Sequence, residues 1–274
     1  IFTENAQKNC FRNGQIMKIY ISIIYLTIVY LFLLVPMLIV IISSFNSAIA
    51  FGGNFESFTF HWYKELFRHD EFAESMWIST KIGLIASCLA SIFGIPLSII
   101  LIRFNFRGKG LIDSLSNVPL IIPQVALSIA ILQMFSLLKI RIDITTLILA
   151  HTVIIIPYVL RAVSSSMHFV DSSVEDAAMN LGANRIQTFF FITFPLIRSG
   201  VTAGFILSFI MSFINVPLSL FISSPMTTTL PIRIFAHMES RLDPIIAALG
   251  SILIISILFV SIFLEKFLRI RLII

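Results

Sequence analysis

Six long stretches of this sequence contain no Asp, Glu, Lys or Arg, and this pattern constrains the fold more than any other feature. A helix needs about 20 mostly apolar residues to cross a bilayer. The six runs cover residues 19–42, 82–102, 114–138, 144–160, 199–232 and 244–264. We therefore predict an all-α integral membrane protein with six transmembrane helices.

Composition supports this interpretation and excludes the main alternatives. Of the 274 residues, 58% are apolar and only 12% are charged, whereas a soluble domain carries about 25% charged residues. The two cysteines, Cys10 and Cys88, are too few for a disulfide-rich scaffold. The net charge of +5 is explained by the loops between the spans, so no nucleic-acid partner is expected.

The distribution of Lys and Arg predicts the orientation. If both ends face the cytoplasm, the inside segments carry twelve basic residues and the outside segments carry seven, which agrees with the excess of positive charge in cytoplasmic loops. We predict a cytoplasmic N-terminal tail at 1–18, a six-helix membrane domain at 19–264 with a cytoplasmic loop at 161–198, and a cytoplasmic C-terminal tail at 265–274. The 24-residue first run is too long for a cleaved signal, although residues 48–50 resemble a cleavage site.

The predicted outside loop between the first two spans contains apolar residues at helical spacing. Phe58, Trp62 and Leu66 alternate with charged residues, as in an amphipathic helix. Such a helix is an anchor at the membrane interface, a cap on the helical bundle or a docking surface for an external partner.

Prolines fall within or near several of the apolar runs. Each removes a backbone donor and tends to bend its helix, and discontinuous helices are typical of transporter pathways. These prolines are Pro96, Pro119, Pro123, Pro157 and Pro217. The final part of the fifth run, 223–232, contains Pro225 and Pro231 and is expected to form a re-entrant or external segment.

Polar side chains are few inside the predicted spans, and none at mid-membrane depth is an acid or a base. Ion-coupled carriers usually place such groups there, so any transport is expected to take its energy from elsewhere. The candidate pathway residues are Gln124, Ser212 and Asn215; each could equally form hydrogen bonds between helices. His151 is expected to be a packing residue.

The predicted cytoplasmic loop 161–198 contains two helix-start patterns. Ser172 with Glu175 matches a capping box, and Gly182 follows as a left-handed helix stop. Asn184 with Gln187 repeats the start pattern. We expect two short helices, the second over 185–192, with Pro195 opening the fifth span.

The same loop resembles the E-A-A-x3-G-x9-I-x-L-P motif of the permease subunits of binding-protein-dependent ABC importers. The corresponding residues keep every spacing, with Asp and Phe in place of the motif's Glu and Leu; they are Asp176, Ala177, Ala178, Gly182, Ile192, Phe194 and Pro195. Further segments, among them 58–79, 106–110, 119–123, 151–157 and 227–231, are similar to the group that includes polyamine and aminoalkylphosphonate importers.

This resemblance implies the fold of a type I importer permease in a bacterial inner membrane. The loop would contact an ATP-hydrolysing subunit, with Glu175, Asp176 and Arg185 forming ion pairs across the contact. The implied partners are two ATPase subunits, a second permease chain, a periplasmic solute-binding protein and membrane lipid. No catalytic, cofactor or metal site is expected in this chain, because Gly108-Lys109 lacks the rest of a phosphate-binding loop; Mg-ATP would bind the partner ATPase.

The cargo is less constrained than the fold. Polyamine-type relatives tend to carry acids where this chain has Gln124 and the Ile214-Asn215 pair. The expected cargo is a small polar solute, either polyamine-like or aminophosphonate-like, or another small anion or zwitterion. The alternatives outside the family are a stand-alone secondary carrier and a membrane-embedded enzyme built around His151, His61 and Asp143.

Overall fold

A computed structural model describes residues 2–47, 56–224, 227–241 and 243–268. These residues form helices joined by loops, with one isolated β-bridge between Asn46 and Phe58. In chain order the helices are α1 (Phe2–Ser44), α2 (His61–Arg68), α3 (Asp70–Arg103), α4 (Lys109–Ile121), α5 (Gln124–Leu137), α6 (Ile144–Met167), α7 (Ser172–Asn180), α8 (Arg185–Thr188), a π-helical turn (Phe189–Thr193), α9 (Phe194–Phe213), α10 (Val216–Ile222), α11 (Leu230–Ser240) and α12 (Ile245–Leu268).

The all-α membrane prediction is confirmed, and each apolar run is largely helical where the structure describes it. Four of the described helical stretches are long and apolar enough to cross a membrane, and the bent pair α4–α5 makes a fifth if it is one span. The apolar part of α12 over Ile245–Val260 is shorter. The count of six spans and the cytoplasmic placement of both ends remain predictions. The possible cleavage site at 48–50, Pro225 and the tail beyond residue 268 lie outside the described residues.

The chain divides into two compact units, and the smaller one combines 1–68 with 241–274. In it α12 packs against α1 and α2. The hydroxyl of Tyr63 lies 2.7 Å from the hydroxyls of both Ser44 and Ser251, which connects the three helices. The predicted amphipathic helix is confirmed as α2, whose buried side chains are Trp62 and Leu66. Phe58 is not part of it, because it lies before the helix, in the bridge to Asn46, and is 62% exposed.

The larger unit spans 69–240 and is built on the three helices α3, α6 and α9. Its core is aliphatic and includes the fully buried Ile82, Ile155 and Val159. Close approach of α9 to α6 depends on Gly200, where an added Cβ would lie 2.7 Å from the carbonyl oxygen of Ala162. Small residues of this kind let helix backbones approach each other in a membrane.

The prolines affect the helices unequally. α3 and α6 continue through Pro96 and Pro157. The expected single span over 114–138 is instead two helices, α4 and α5, bent by 111° at Ile122 and Pro123. The proline lacks an N–H and disfavours helical geometry at the residue before it, so the helix ends there. A second break at Ile214 and Asn215 separates α9 from α10.

Candidate functional site

The loop 161–198, here called the motif loop, contains a short helix, α7, that begins after Asp171. The Asp171 carboxylate accepts a hydrogen bond of 2.9 Å from the backbone N–H of Ser173. This bond is the main reason that the pKa of Asp171 is lowered from its ordinary value. The predicted capping box of Ser172 and Glu175 is therefore wrong. Asp171, one residue earlier, already supplies the acceptor, and Ser172 becomes the first residue of the helix.

The end of α7 matches the prediction. Gly182 has φ +96°, a left-handed conformation that favours glycine. Its N–H donates to the carbonyl of Met179, and the N–H of Ala183 donates to that of Ala178. These bonds satisfy carbonyls that the end of the helix leaves open, so the turn is well defined despite its exposure.

The second start pattern is also confirmed, but the helix that follows is not a separate one. Asn184 and Gln187 form a capping box with bonds of 2.8 and 2.9 Å. The helix then continues from α8 through the π-helical turn into α9, without the predicted interruption before Pro195. The wider π-helical turn ends two residues before Pro195, which has no N–H to donate to the preceding turn.

Glu175 lies inside the loop's own packing rather than on its outer face. Its Oε2 is 3.0 Å from Nε of Arg103, at the end of α3, and its Oε1 accepts a 2.8 Å bond from the hydroxyl of Thr193. The two charged side chains are only 16% and 18% exposed. The Glu175 carboxylate thus already has partners within this chain, whereas it was expected to pair across an intermolecular contact.

Sequence reasoning missed Arg103 and Thr193. Arg103 is 72 residues from Glu175, and nothing in the motif spacing indicates that pairing. Thr193 occupies a position that the motif leaves unspecified. The only signal in the sequence for this ion pair was the position of Arg103, a basic residue directly after the second apolar run.

The motif loop exposes several large apolar side chains. Leu181 is 90% exposed, Ile186 is 70% exposed and Phe191 is 76% exposed. Asp176, Ala177 and Arg185 are exposed beside them, as is Pro195, while Ala178 and Ile192 are half-buried. A cluster of exposed large hydrophobic residues with charged neighbours is typical of a protein interaction site.

Two of the three candidate pathway residues have structural partners. Ser212 lies 2.9 Å from Nδ1 of the buried His151, whose Nε2 is 3.3 Å from Ser219. Asn215 caps α10 by accepting a bond from the N–H of Leu218. Gln124 is half-buried at the first residue of α5, directly after the bend.

Two of the three residues suggested for an embedded enzyme have structural roles as well, while His61 is the exposed first residue of α2. His151 packs between serines, as described above, and Asp143 caps α6 through the N–H groups of Thr145 and Thr146. The bond from Thr146 is the first cause of a lowered pKa at Asp143. In the described part of the chain, no three His, Cys, Asp or Glu residues are grouped to hold a metal ion.

Comparison with known proteins decides the family. The model of the family described as "Binding-protein-dependent transport system inner membrane component" matches residues 90–272. The chain belongs to this family. As a member, the protein is a non-enzymatic, multi-pass permease component of the inner membrane, and the resemblance seen in the motif loop is confirmed.

The permease is about 30% identical to curated relatives over most of its length. It is 31% identical over 223 residues to the spermidine/putrescine transport system permease protein PotC of Haemophilus influenzae, covering 81% of this chain and 86% of that protein. It is 32% identical over 226 residues to the putrescine transport system permease protein PotI of Escherichia coli K12, covering 80% of each.

Solved structures show the same fold. The permease superposes with a TM-score of 0.65 on a chain from a bacterial ABC transporter involved in the import of the acidic polysaccharide alginate, with 17% identity, over 95% of this chain and 98% of that chain. At this identity the likeness establishes the permease fold and says nothing about the cargo.

Proposed function

We propose that the motif loop is the site at which an ATP-hydrolysing subunit docks on this permease. The observation that carries the proposal is the exposed apolar surface around Leu181, Ile186 and Phe191, on a loop whose sequence keeps the spacing of the importer motif. Exposed Asp176 and Arg185 provide charges of both signs beside it, and Ala177 leaves room for close approach. Gly182 turns the chain between the two helices.

The rest of the transporter follows from this docking site. Two ATPase subunits bind Mg-ATP, and each contacts one motif loop, so the permease pairs with a second permease chain, identical or homologous. A periplasmic binding protein delivers the solute to the opposite side of the membrane. The predicted topology, with the motif loop in the cytoplasm, is part of this proposal.

We infer that the cargo is a small polar solute and that a polyamine is the leading candidate. The supporting observation is the similarity to PotC and PotI, which are named for spermidine and putrescine. The residue after Pro123 favours a less cationic cargo, because Gln124 is a neutral amide and gives a polycation little electrostatic stabilisation. An aminophosphonate or another zwitterion is therefore the second candidate.

Gln124 is the best-placed of the proposed pathway residues, since it follows a break between two helices, the kind of position that forms transporter sites. Ser212 and Asn215 would contribute only if their present hydrogen bonds rearranged during transport.

The test is to purify the affinity-tagged permease from its native host and identify the proteins that accompany it. We expect an ATPase and a second permease subunit. The assembled complex is then reconstituted into vesicles together with its binding protein. It should take up labelled putrescine or 2-aminoethylphosphonate only when ATP is present on the side of the membrane that carries the motif loop. Uptake by this chain alone, without an ATPase, would instead indicate a secondary carrier.

A further inference from the structure

We propose that Glu175, Arg103 and Thr193 form a brace that transmits movement of α7 to the membrane helices. They are positioning residues, which act without contacting nucleotide or solute. The inference rests on the proposed docking of an ATPase on the motif loop. The brace is the internal connection through which docking and closure of the ATPase would move the transmembrane helices.

Helix α7 has little apolar attachment to the rest of the protein. None of its side chains is buried, and all except Glu175 and Ala178 are exposed. Apolar packing, which holds most helices in place, is therefore weak for this one. Its attachment depends strongly on polar contacts, and Glu175 provides the most extensive of these.

The Glu175 carboxylate joins three parts of the chain. Arg103, in the last turn of α3, approaches both carboxylate oxygens, at 3.0 Å through Nε and 3.2 Å through Nη2. Its Nη2 also donates a 2.9 Å bond to the carbonyl of Val170, just before α7. Thr193, at the end of the π-helical turn, donates a 2.8 Å bond to Oε1 of Glu175, the oxygen that Nη2 of Arg103 also approaches. One side chain therefore connects α7 to the ends of both α3 and α9.

The low exposure of this ion pair makes it persistent. Charged groups attract each other more strongly away from water, and removing one partner leaves the other poorly solvated. Since α3 and α9 pack against each other and against α6, a displacement of α7 through the brace would act on all three core helices.

The neighbouring residue provides a matched comparison. Asp176 carries the same charge one position further along α7, and successive residues of a helix point about 100° apart. Asp176 lines the same cavity as Glu175 and Arg103, but it is exposed, makes no contact with Arg103 like that of Glu175, and is assigned to the proposed docking surface. Loss of the Glu175 charge should therefore uncouple the complex, whereas loss of the Asp176 charge should weaken its assembly.

The experiment uses the whole complex in nanodiscs and reports on α5 without requiring the solute. A Gln124→Cys reporter is introduced after Cys10 and Cys88 have been replaced by serine. Its rate of labelling by a maleimide is compared with and without trapping by ATP and vanadate. Co-purified ATPase is measured for each variant, so that docking and transmission are separated.

We expect Glu175→Gln and Arg103→Gln to retain the ATPase while reducing the trapping-dependent change in labelling at least fivefold. The double variant should lose no more than either single one, because both changes break the same unit. Thr193→Val, which keeps the volume and removes one hydrogen bond, should give a smaller loss in a chain that folds normally. Asp176→Asn should release ATPase and leave the labelling change intact in the complexes that remain.

Three results from the variants would overturn the brace. In the first, Glu175→Gln keeps the full trapping-dependent change in labelling. In the second, the loss in the double variant equals the product of the losses in the two single variants. In the third, Glu175→Gln releases as much ATPase as Asp176→Asn does. A parent complex that binds ATPase but shows no change at residue 124 on trapping would also overturn it. Failure of the parent permease to bind any ATPase would refute the proposed function itself.

Discussion

Truncation of Leu181 to alanine should weaken ATPase docking about 30-fold. Leu181 is 90% exposed in this chain, so nearly its whole side chain is available for burial by a partner. Replacing it with alanine removes an isopropyl group, which is worth about 2 kcal/mol if the site is fully buried. That energy corresponds to about 30-fold in the dissociation constant. The same exposure means that the substitution should leave folding of the permease unchanged.

The assay is a titration of purified ATPase subunit onto the permease in nanodiscs, followed by fluorescence anisotropy. Leu137→Ala is the matched control, because Leu137 is 83% exposed at the end of α5 and lies outside the motif loop. Its dissociation constant should stay within about twofold of the parent value. Equal affinities for Leu181→Ala and the parent would refute the argument that this apolar surface is the docking site.

Three further predictions concern the architecture around the site. Gly200→Ala should destabilise the permease by about 1–3 kcal/mol through overpacking of α9 against α6, measured as a lower thermal midpoint in detergent. Gly182→Ala should cost about 1–2 kcal/mol because its φ of +96° strains an L-residue, and hydrogen exchange should show loss of protection at the end of α7. For both, Gly110→Ala is the control, since nothing lies within 4 Å of its added Cβ; equal effects at Gly110 would contradict these explanations. The lowered pKa of Asp171 means that its capping contribution is present at neutral pH and is lost only as pH falls below the ordinary value of 3.8; a loss of protection factors in the first turn of α7 already at pH 5 would count against it.

Local features of the motif loop could be predicted from sequence because they depend on neighbouring residues. The left-handed stop at Gly182 and the capping box of Asn184 and Gln187 both follow from short-range backbone chemistry. The start of α7 was misplaced by one residue because two adjacent side chains, Asp171 and Ser172, are both suitable caps. Which of them serves depends on the path of the preceding chain.

Long-range features could not be predicted in this way. The pairing of Arg103 with Glu175 depends on how the end of α3 meets the motif loop. Pro123 indicates a bend, but the size of the bend between α4 and α5 could not be predicted. The apolar run continues through Pro123, and periodicity does not distinguish a kinked span from two helices. The hydrogen-bond partners of Ser212 and Asn215 could not be predicted either. Tertiary packing places Ser212 beside His151, and the break after α9 allows Asn215 to cap α10.

Cross-linking from the motif loop in intact cells tests the central claim most directly. A photoreactive amino acid at residue 186, where Ile186 is 70% exposed, would capture whatever protein contacts this surface, and mass spectrometry would identify it. The account predicts an adduct with a nucleotide-hydrolysing subunit in the cytoplasm. Adducts formed only with proteins on the external side of the membrane would contradict it.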